Sequence, residues 1–245
     1  MQIAIKTQTL SKKPYEFKSA ADLVHNPLES CYEKLVRDYV SNMGFPCVGA
    51  KTALAKDQIN ICVAQSILSN ESDEKILTGL YDFISHYKKD KVIFRSFIVV
   101  FDDKKPMSEE DFEMALWTRL QSLHDKDIFP WDTAVSAHPS DKTFSLSAGN
   151  KAFYIIGMHP GSSRDARRFP LPALVFNLHE QFEQLRATGQ YQQMRQLIRR
   201  RDKAFSGSTN PMLEDFGNSS EAVQYSGRQV AAEEWKCPFH HKGLH

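Results

Sequence analysis

Apolar positions recur at three- and four-residue intervals from Tyr32 onward: Tyr32, Leu35, Val36, Tyr39, Val40 and Met43 mark one face of a helix. Asn26-Pro27-Leu28-Glu29 signals its start. An asparagine cap, a proline suited to the first helical position and an acid at the positive helix end stand together there. Gly44 and Pro46 end it. The same period returns over Asp73–Tyr87 through Ile76, Leu77, Leu80, Tyr81 and Ile84. A third helix opens after Pro106, with Ser108 and Asp111 in capping-box positions. Its inward face is Phe112, Leu116, Leu120 and Leu123, with Trp117 beside it. Asn177 and Glu180 start a further helix, which breaks at Gly189 and resumes to Arg201.

Period-two and continuous apolar runs supply the strands. Lys91–Phe101 (KVIFRSFIVVF) is rich in β-branched and aromatic residues. Thr143–Ser147 alternates like a half-exposed strand, and Ser147-Ala148-Gly149-Asn150 reads as a hairpin turn into a buried strand over Ala152–Ile156. Helices and strands are interspersed and one strand pair is a hairpin. The expectation is therefore an α+β fold: a mixed, largely antiparallel sheet flanked by helices. Residues 1–245 are expected to form one domain, with an N-terminal arm over 1–25. An irregular tail over 205–245 is rich in Gly, Ser, Asn and Pro, and Met212, Leu213, Phe216, Tyr225, Trp235 and Phe239 can anchor it.

Composition narrows the classes. The 245 residues are 41% hydrophobic and 25% charged, with 16 phenylalanines, which suits a globular core. A net charge of +1 gives no whole-protein argument for nucleic acid or an acidic membrane, and neither is expected as partner. The opening stretch MQIAIKTQTLSKKPYEF has no apolar run of signal-peptide or membrane-spanning length, so cytoplasmic residence is the expectation. Cys31, Cys47, Cys62 and Cys237 show no CxxC spacing and are expected reduced, the first three as core fillers. There is no GxGxxG after a strand, no phosphate-binding Walker loop, no HExxH and no GxSxG.

Charge is uneven, and this points to a site. From His159 to Lys203 there are nine Arg and Lys against four Asp and Glu. The segment GMHPGSSRDARRFP, residues 157–170, follows the AFYII strand at once. His159 stands at the strand end, where functional groups collect. Arg164, Arg167 and Arg168 offer planar forks for carboxylates or phosphates, and Ser162 and Ser163 add hydroxyls. Three readings stand: a plain HPG turn with a solvated arginine face, an anion site for a phosphorylated small molecule, and a haem site in which histidine meets iron and arginines meet propionates. Trp235-Lys236-Cys237-Pro238-Phe239-His240-His241 gives a second candidate. Cys237 is an iron-ligating or nucleophilic thiolate if its pKa is lowered, or a tail cysteine tucked between Trp235 and Phe239. A zinc site from Cys237, His240 and His241 lacks a fourth ligand. His138, before Pro139, either faces the same pocket or sits on a surface loop. His179 and Glu180 read as an exposed polar face. His25, His86 and His124 stand near helix ends.

The run GMHPGSSRDARRFPLPALVFNLHEQFEQLRATGQYQQMRQLIRRRD resembles the signature of the YqcI/YcgG family. So do FPC at Phe45–Cys47, FE…LW at Phe112–Trp117, NPML at Asn210–Leu213, SEAVQYSGR at Ser219–Arg228 and WKCPF at Trp235–Phe239. The likeness keeps one order and spans nearly all of the chain beyond residue 25. That family includes a haem-dependent N-hydroxylase of guanitoxin biosynthesis, which oxidises a guanidine nitrogen. The resemblance implies haem b (iron protoporphyrin IX) and a monooxygenase that hydroxylates a nitrogen of an amine or guanidine-type small molecule. A separate electron donor would serve it, since no flavin fingerprint is present. Carried onto this chain, the motif positions are His159, Arg164, Arg167, Arg168, Cys237 and Pro238. The iron ligand is expected to be His159 or Cys237, with Phe169, Phe176 and Trp235 walling the ring. A non-catalytic haem carrier or sensor and a haem-free anion-binding module are the alternatives.

Overall fold

A computed structural model describes residues 27–90, 93–208, 217–231 and 234–243. The expected N-terminal arm, the Asn26 cap and the NPML segment lie outside them. Six helices and five strands follow in order: α1 (Pro27–Ser41), α2 (Val48–Ala55), β1 (Ile59–Ala64), α3 (Asp73–Asp90), β2 (Ser96–Phe101), α4 (Glu109–Lys126), β3 (Leu146–Ala148), β4 (Lys151–Met158), β5 (Ala173–Leu178), α5 (His179–Ala187) and α6 (Gln190–Ser206). The sheet order is β1-β2-β5-β4-β3. Only β1 and β2 are parallel, and the other three pairings are antiparallel. The fold is α+β around a mixed, mostly antiparallel sheet. No helix among the described residues is long and apolar enough to cross a membrane.

Local chemistry explains the boundaries. Ser108 caps α4 by accepting from the Asp111 amide at 3.0 Å, while Asp111 accepts from the Ser108 hydroxyl at 2.8 Å. Gly149 and Asn150 both take positive φ, 59° and 58°, in the two-residue turn between β3 and β4. Gly189, at φ 71°, separates α5 from α6 as a left-handed residue.

Three elements depart from the sequence expectation. Of the run expected as a strand, Ser96–Phe101 form β2, and Phe94 before them bends the chain at φ 69°. Residues of β3 are buried throughout rather than half-exposed, since the chain's C-terminal segment covers them: the Leu146 amide donates to the Tyr225 hydroxyl at 3.1 Å. Asn177 does not start a helix: it belongs to a strand, β5, central in the sheet and paired with β2 and β4, and α5 begins only at His179. Neither α2 nor β1 shows in the apolar period. Eight residues of VGAKTALA carry no defined face, and the Cys47 thiol that caps them is the signal.

The sheet buries both faces. One packs against α3 and α4 through Phe97, Phe101, Phe153, Ile155, Leu174 and Phe176. The other meets α1 through Ile98, Val100, Met158, Val175, Phe169 and Tyr32.

The described residues of the segment expected as an irregular tail are docked closely. α6 extends to Ser206, a short 3-10 turn spans Glu221–Gln224, and Tyr225 and Phe239 are buried. Glu113 of α4 is its main anchor. That carboxylate accepts from Ser226 Oγ at 2.8 Å, Arg228 Nε at 2.9 Å and Trp235 Nε1 at 3.2 Å.

Glu113→Ala removes the acceptor for all three donors and is expected to cost about 3 kcal/mol, as for a broken buried ion pair. Urea denaturation measures this, and faster trypsin cleavage at Arg228 marks the released segment. Gly157 is the second sensitive point. A Cβ there stands 2.7 Å from Leu116 Cδ1, 2.8 Å from Phe112 Cε1 and 2.9 Å from the Tyr225 carbonyl. Gly157→Ala is expected to lower stability by about 1–3 kcal/mol in the same assay.

Candidate functional site

Strand alternation decides which residues share a face. Along β4, Tyr154, Ile156 and Met158 line a cavity of about 290 Å³, while Phe153 and Ile155 enter the core under α3 and α4. Val175 and Asn177 of β5, and Ser96 and Ile98 of β2, continue the floor. The walls come from α1, from the Phe45-Pro46-Cys47 segment, from the loop after β4, and from α5 and α6.

α6 explains why the space stays open. Tyr191, Met194, Arg195, Ile198, Arg199 and Asp202 recur at helical spacing and all face the cavity. Only Asp202 of this helix is fully buried. The apolar residues of its inner face are half-buried, which fits a helix spanning a void rather than pressed into a core.

The arginine loop divides by function. Arg167 is buried and its guanidinium is spent on backbone. It donates to the Gly157 carbonyl at 3.2 Å, Tyr225 at 2.9 Å and Gln224 at 3.0 Å. It lines the cavity, yet it is also the pin that joins loop, strand and tail. Arg164 lines the cavity and is paired with Asp202 at 2.6 Å. Arg168 does not line it. Its Nε donates to the Ser162 carbonyl at 2.9 Å and it pairs with Asp165 at 2.8 Å. Ser162 is buried within the loop, and Ser163 donates from both its amide and its hydroxyl to Glu109 at 2.9 and 2.8 Å, tying the loop to α4. The remaining arginines of the lining come from helices: Arg186 of α5, and Arg195 and Arg199 of α6. Arg186 also lies over the Tyr191 ring, 4.5 Å from its centroid.

The other expected site residues lie elsewhere. The His159 ring stacks on Phe112 with centroids 4.2 Å apart, on the α4 side of the sheet, and is not part of the cavity lining. It is 1% exposed, and burial lowers its pKa, so the ring is neutral. Phe169 lines the cavity, whereas Phe176 points into the opposite core. Trp235 and Cys237 pack against that same opposite core. Burial pushes the Cys237 thiol up to about 12, so it stands protonated at neutral pH. His138 is exposed, 2.8 Å from the Ser140 hydroxyl.

His179 overturns its reading as part of an exposed polar face. It is 7% exposed and lines the cavity at the first turn of α5. Burial lowers its pKa, which favours the neutral ring, and its Nδ1 stands 3.8 Å from Glu183 Oε1. Cys47 also lines the cavity. Its Sγ accepts from the Ala50 amide at 3.4 Å, and burial raises its pKa. The sequence held a signal for this face: His179, Phe182 and Arg186 are spaced i, i+3, i+7, and all three line the cavity. Glu221 of the tail completes the lining. Its Oε1 accepts from the Ser145 hydroxyl at 2.6 Å and the Tyr225 hydroxyl at 2.7 Å. Among the described residues, no group of three or more His, Cys, Asp or Glu is arranged to hold a metal ion.

The cavity can therefore offer one neutral imidazole, one protonated thiol, a carboxyl and several guanidinium groups around aromatic and aliphatic walls. Such a lining suits a small ligand with apolar faces and an acidic edge.

No protein of curated function and no solved structure matches the chain. A family profile does, over residues 36–240, from the middle of α1 through the cavity walls to the end of the docked tail. With so much of the chain covered, including every element that lines the cavity, the protein belongs to the YqcI/YcgG family.

Proposed function

We propose that this protein binds haem b in the cavity between the sheet and α1, α5 and α6, where the His179 imidazole would hold the iron. One observation carries the reading: a buried neutral imidazole, aromatic walls and helix-borne arginines meet on a single face of the sheet. Glu183, whose Oε1 accepts from Arg186, stands 3.8 Å from His179 Nδ1, too far for a hydrogen bond that fixes the ring. Arg195 and Arg199 stand where an acidic edge is to be neutralised. Tyr39, Phe45, Phe169 and Phe182 supply the apolar walls. The volume is near the lower end of ligand pockets. The half-buried α6 is the wall best suited to accommodate a porphyrin.

The haem would supply oxidising chemistry with dioxygen or peroxide, and the chain would orient the small molecule and exclude water. Hydroxylation of a nitrogen in an amine or guanidine-type substrate is the activity that the family resemblance suggests. A separate protein would deliver electrons. A haem carrier or sensor uses the same cavity without turnover.

The test is an absorption spectrum of the protein expressed with haem precursor. A Soret band is expected in the wild type, lost in His179→Ala and kept in His159→Ala and Cys237→Ala. A band lost in His159→Ala but kept in His179→Ala rejects the ligand. No band in any of them rejects haem. Spectral change on adding guanidines favours an oxygenase, and rapid transfer to apomyoglobin favours a carrier.

A further inference from the structure

Glu221 is the acid of the cavity that no ion pair neutralises among the described residues; the other, Asp202, is paired with Arg164. It is 4% exposed, and its two oxygens differ. Oε1 accepts from both Ser145 and Tyr225. Those hydroxyls are held in turn: each lies within reach of the Phe153 carbonyl, at 3.0 and 3.3 Å, and the Tyr225 oxygen also accepts from the Leu146 amide at 3.1 Å. With Oε1 occupied by two donors, a proton on this carboxyl belongs on Oε2. That oxygen makes no hydrogen bond among the described residues, and Glu221 lines the cavity.

We propose that Glu221 is the proton-exchanging residue of this cavity, giving a proton from Oε2 to a basic atom of the bound molecule or taking one from it. The step balances simply. The O–H bond at Oε2 breaks, a bond from hydrogen to the ligand's nitrogen or oxygen forms, and the negative charge left behind is held by the Ser145 and Tyr225 hydroxyls. The return step reverses it. The assignment rests on the cavity and holds whether or not haem fills part of it.

The surroundings suit the role. Burial raises the carboxyl to about 7, from an ordinary value of 4.5, and the hydrogen bonds from Ser145 and Tyr225 and the charge of Arg186 draw it back. Facing it are Arg186 from α5, Tyr154 from β4 and Tyr225 from the tail, with Arg167 bridging the adjacent Gln224 and Tyr225 carbonyls. A group titrating near neutrality serves as both acid and base.

Infrared difference spectroscopy of the full chain, titrated from about pH 5 to about pH 9, reads the proton directly. A carboxylic-acid carbonyl band is expected at the acid end. It fades through neutrality, shifts promptly in D2O and is absent from Glu221→Gln, which keeps an acceptor at Oε1. Ser145→Ala removes one donor to the carboxylate and should move the midpoint up by about one unit, so the proposal stays testable if the first variant folds poorly. Stability gives an independent reading. The folded carboxyl holds its proton more tightly than the unfolded one, so stability falls as pH rises from about 4.5 to about 7. Glu221→Gln should lack that slope. A band that is missing, survives in Glu221→Gln or resists D2O overturns the proposal; a missing Soret band bears on haem alone.

Discussion

The two-residue repeat of the central strands governs this protein. β2, β4 and β5 each send alternate side chains to a packed core and to a cavity, so two chemically different rooms share one wall. Phe97, Phe153 and Phe176 go to the core, and Ile98, Ile156 and Val175 to the cavity. A one-residue slip of register would exchange them and bury Tyr154 and Asn177 among hydrocarbon. The floor that a ligand would meet is thus fixed before any loop is placed.

Around that wall, charge is used in two ways. Arg167 and Glu113 are structural. One saturates three backbone carbonyls, the other collects donors from the tail, and together they clamp the C-terminal segment against β4 and α4. Unpaired, either would be a costly buried charge. Arg186, Arg195 and Arg199 stand on helices that line the cavity, and Arg186 is paired with Glu183. The same residue type therefore carries the fold in the loop and suits recognition on α5 and α6, and burial with full backbone pairing separates the two.

The tail is part of the site. Its 3-10 turn brings Glu221 and Gln224 to the lining, and the Gln224 side chain accepts from the Tyr154 hydroxyl at 2.9 Å. Docking through Glu113 on one face of the sheet thus positions a carboxyl on the other. This couples the integrity of the tail to the cavity, although the aromatic cluster of Trp117, Trp235 and Phe239 that secures it faces away.

The sequence by itself determined the fold class, the α1, α3 and α4 helices, the β3–β4 hairpin and the family. Each rests on local period, capping residues or a long ordered motif. It also located the arginine-rich segment, whose charge excess is visible without coordinates. It did not separate His159 from His179. Each directly follows a strand, and apart from the helical spacing of His179, Phe182 and Arg186 the sequence does not show which face of the sheet a ring will take. That was decided by tertiary structure: β5 lies between β2 and β4, so His179 enters the cavity while His159 stacks beneath Phe112. Likewise Glu221 sits in a plain polar stretch. It becomes a buried acid only because the returning tail places it beside Ser145, a residue 76 positions away.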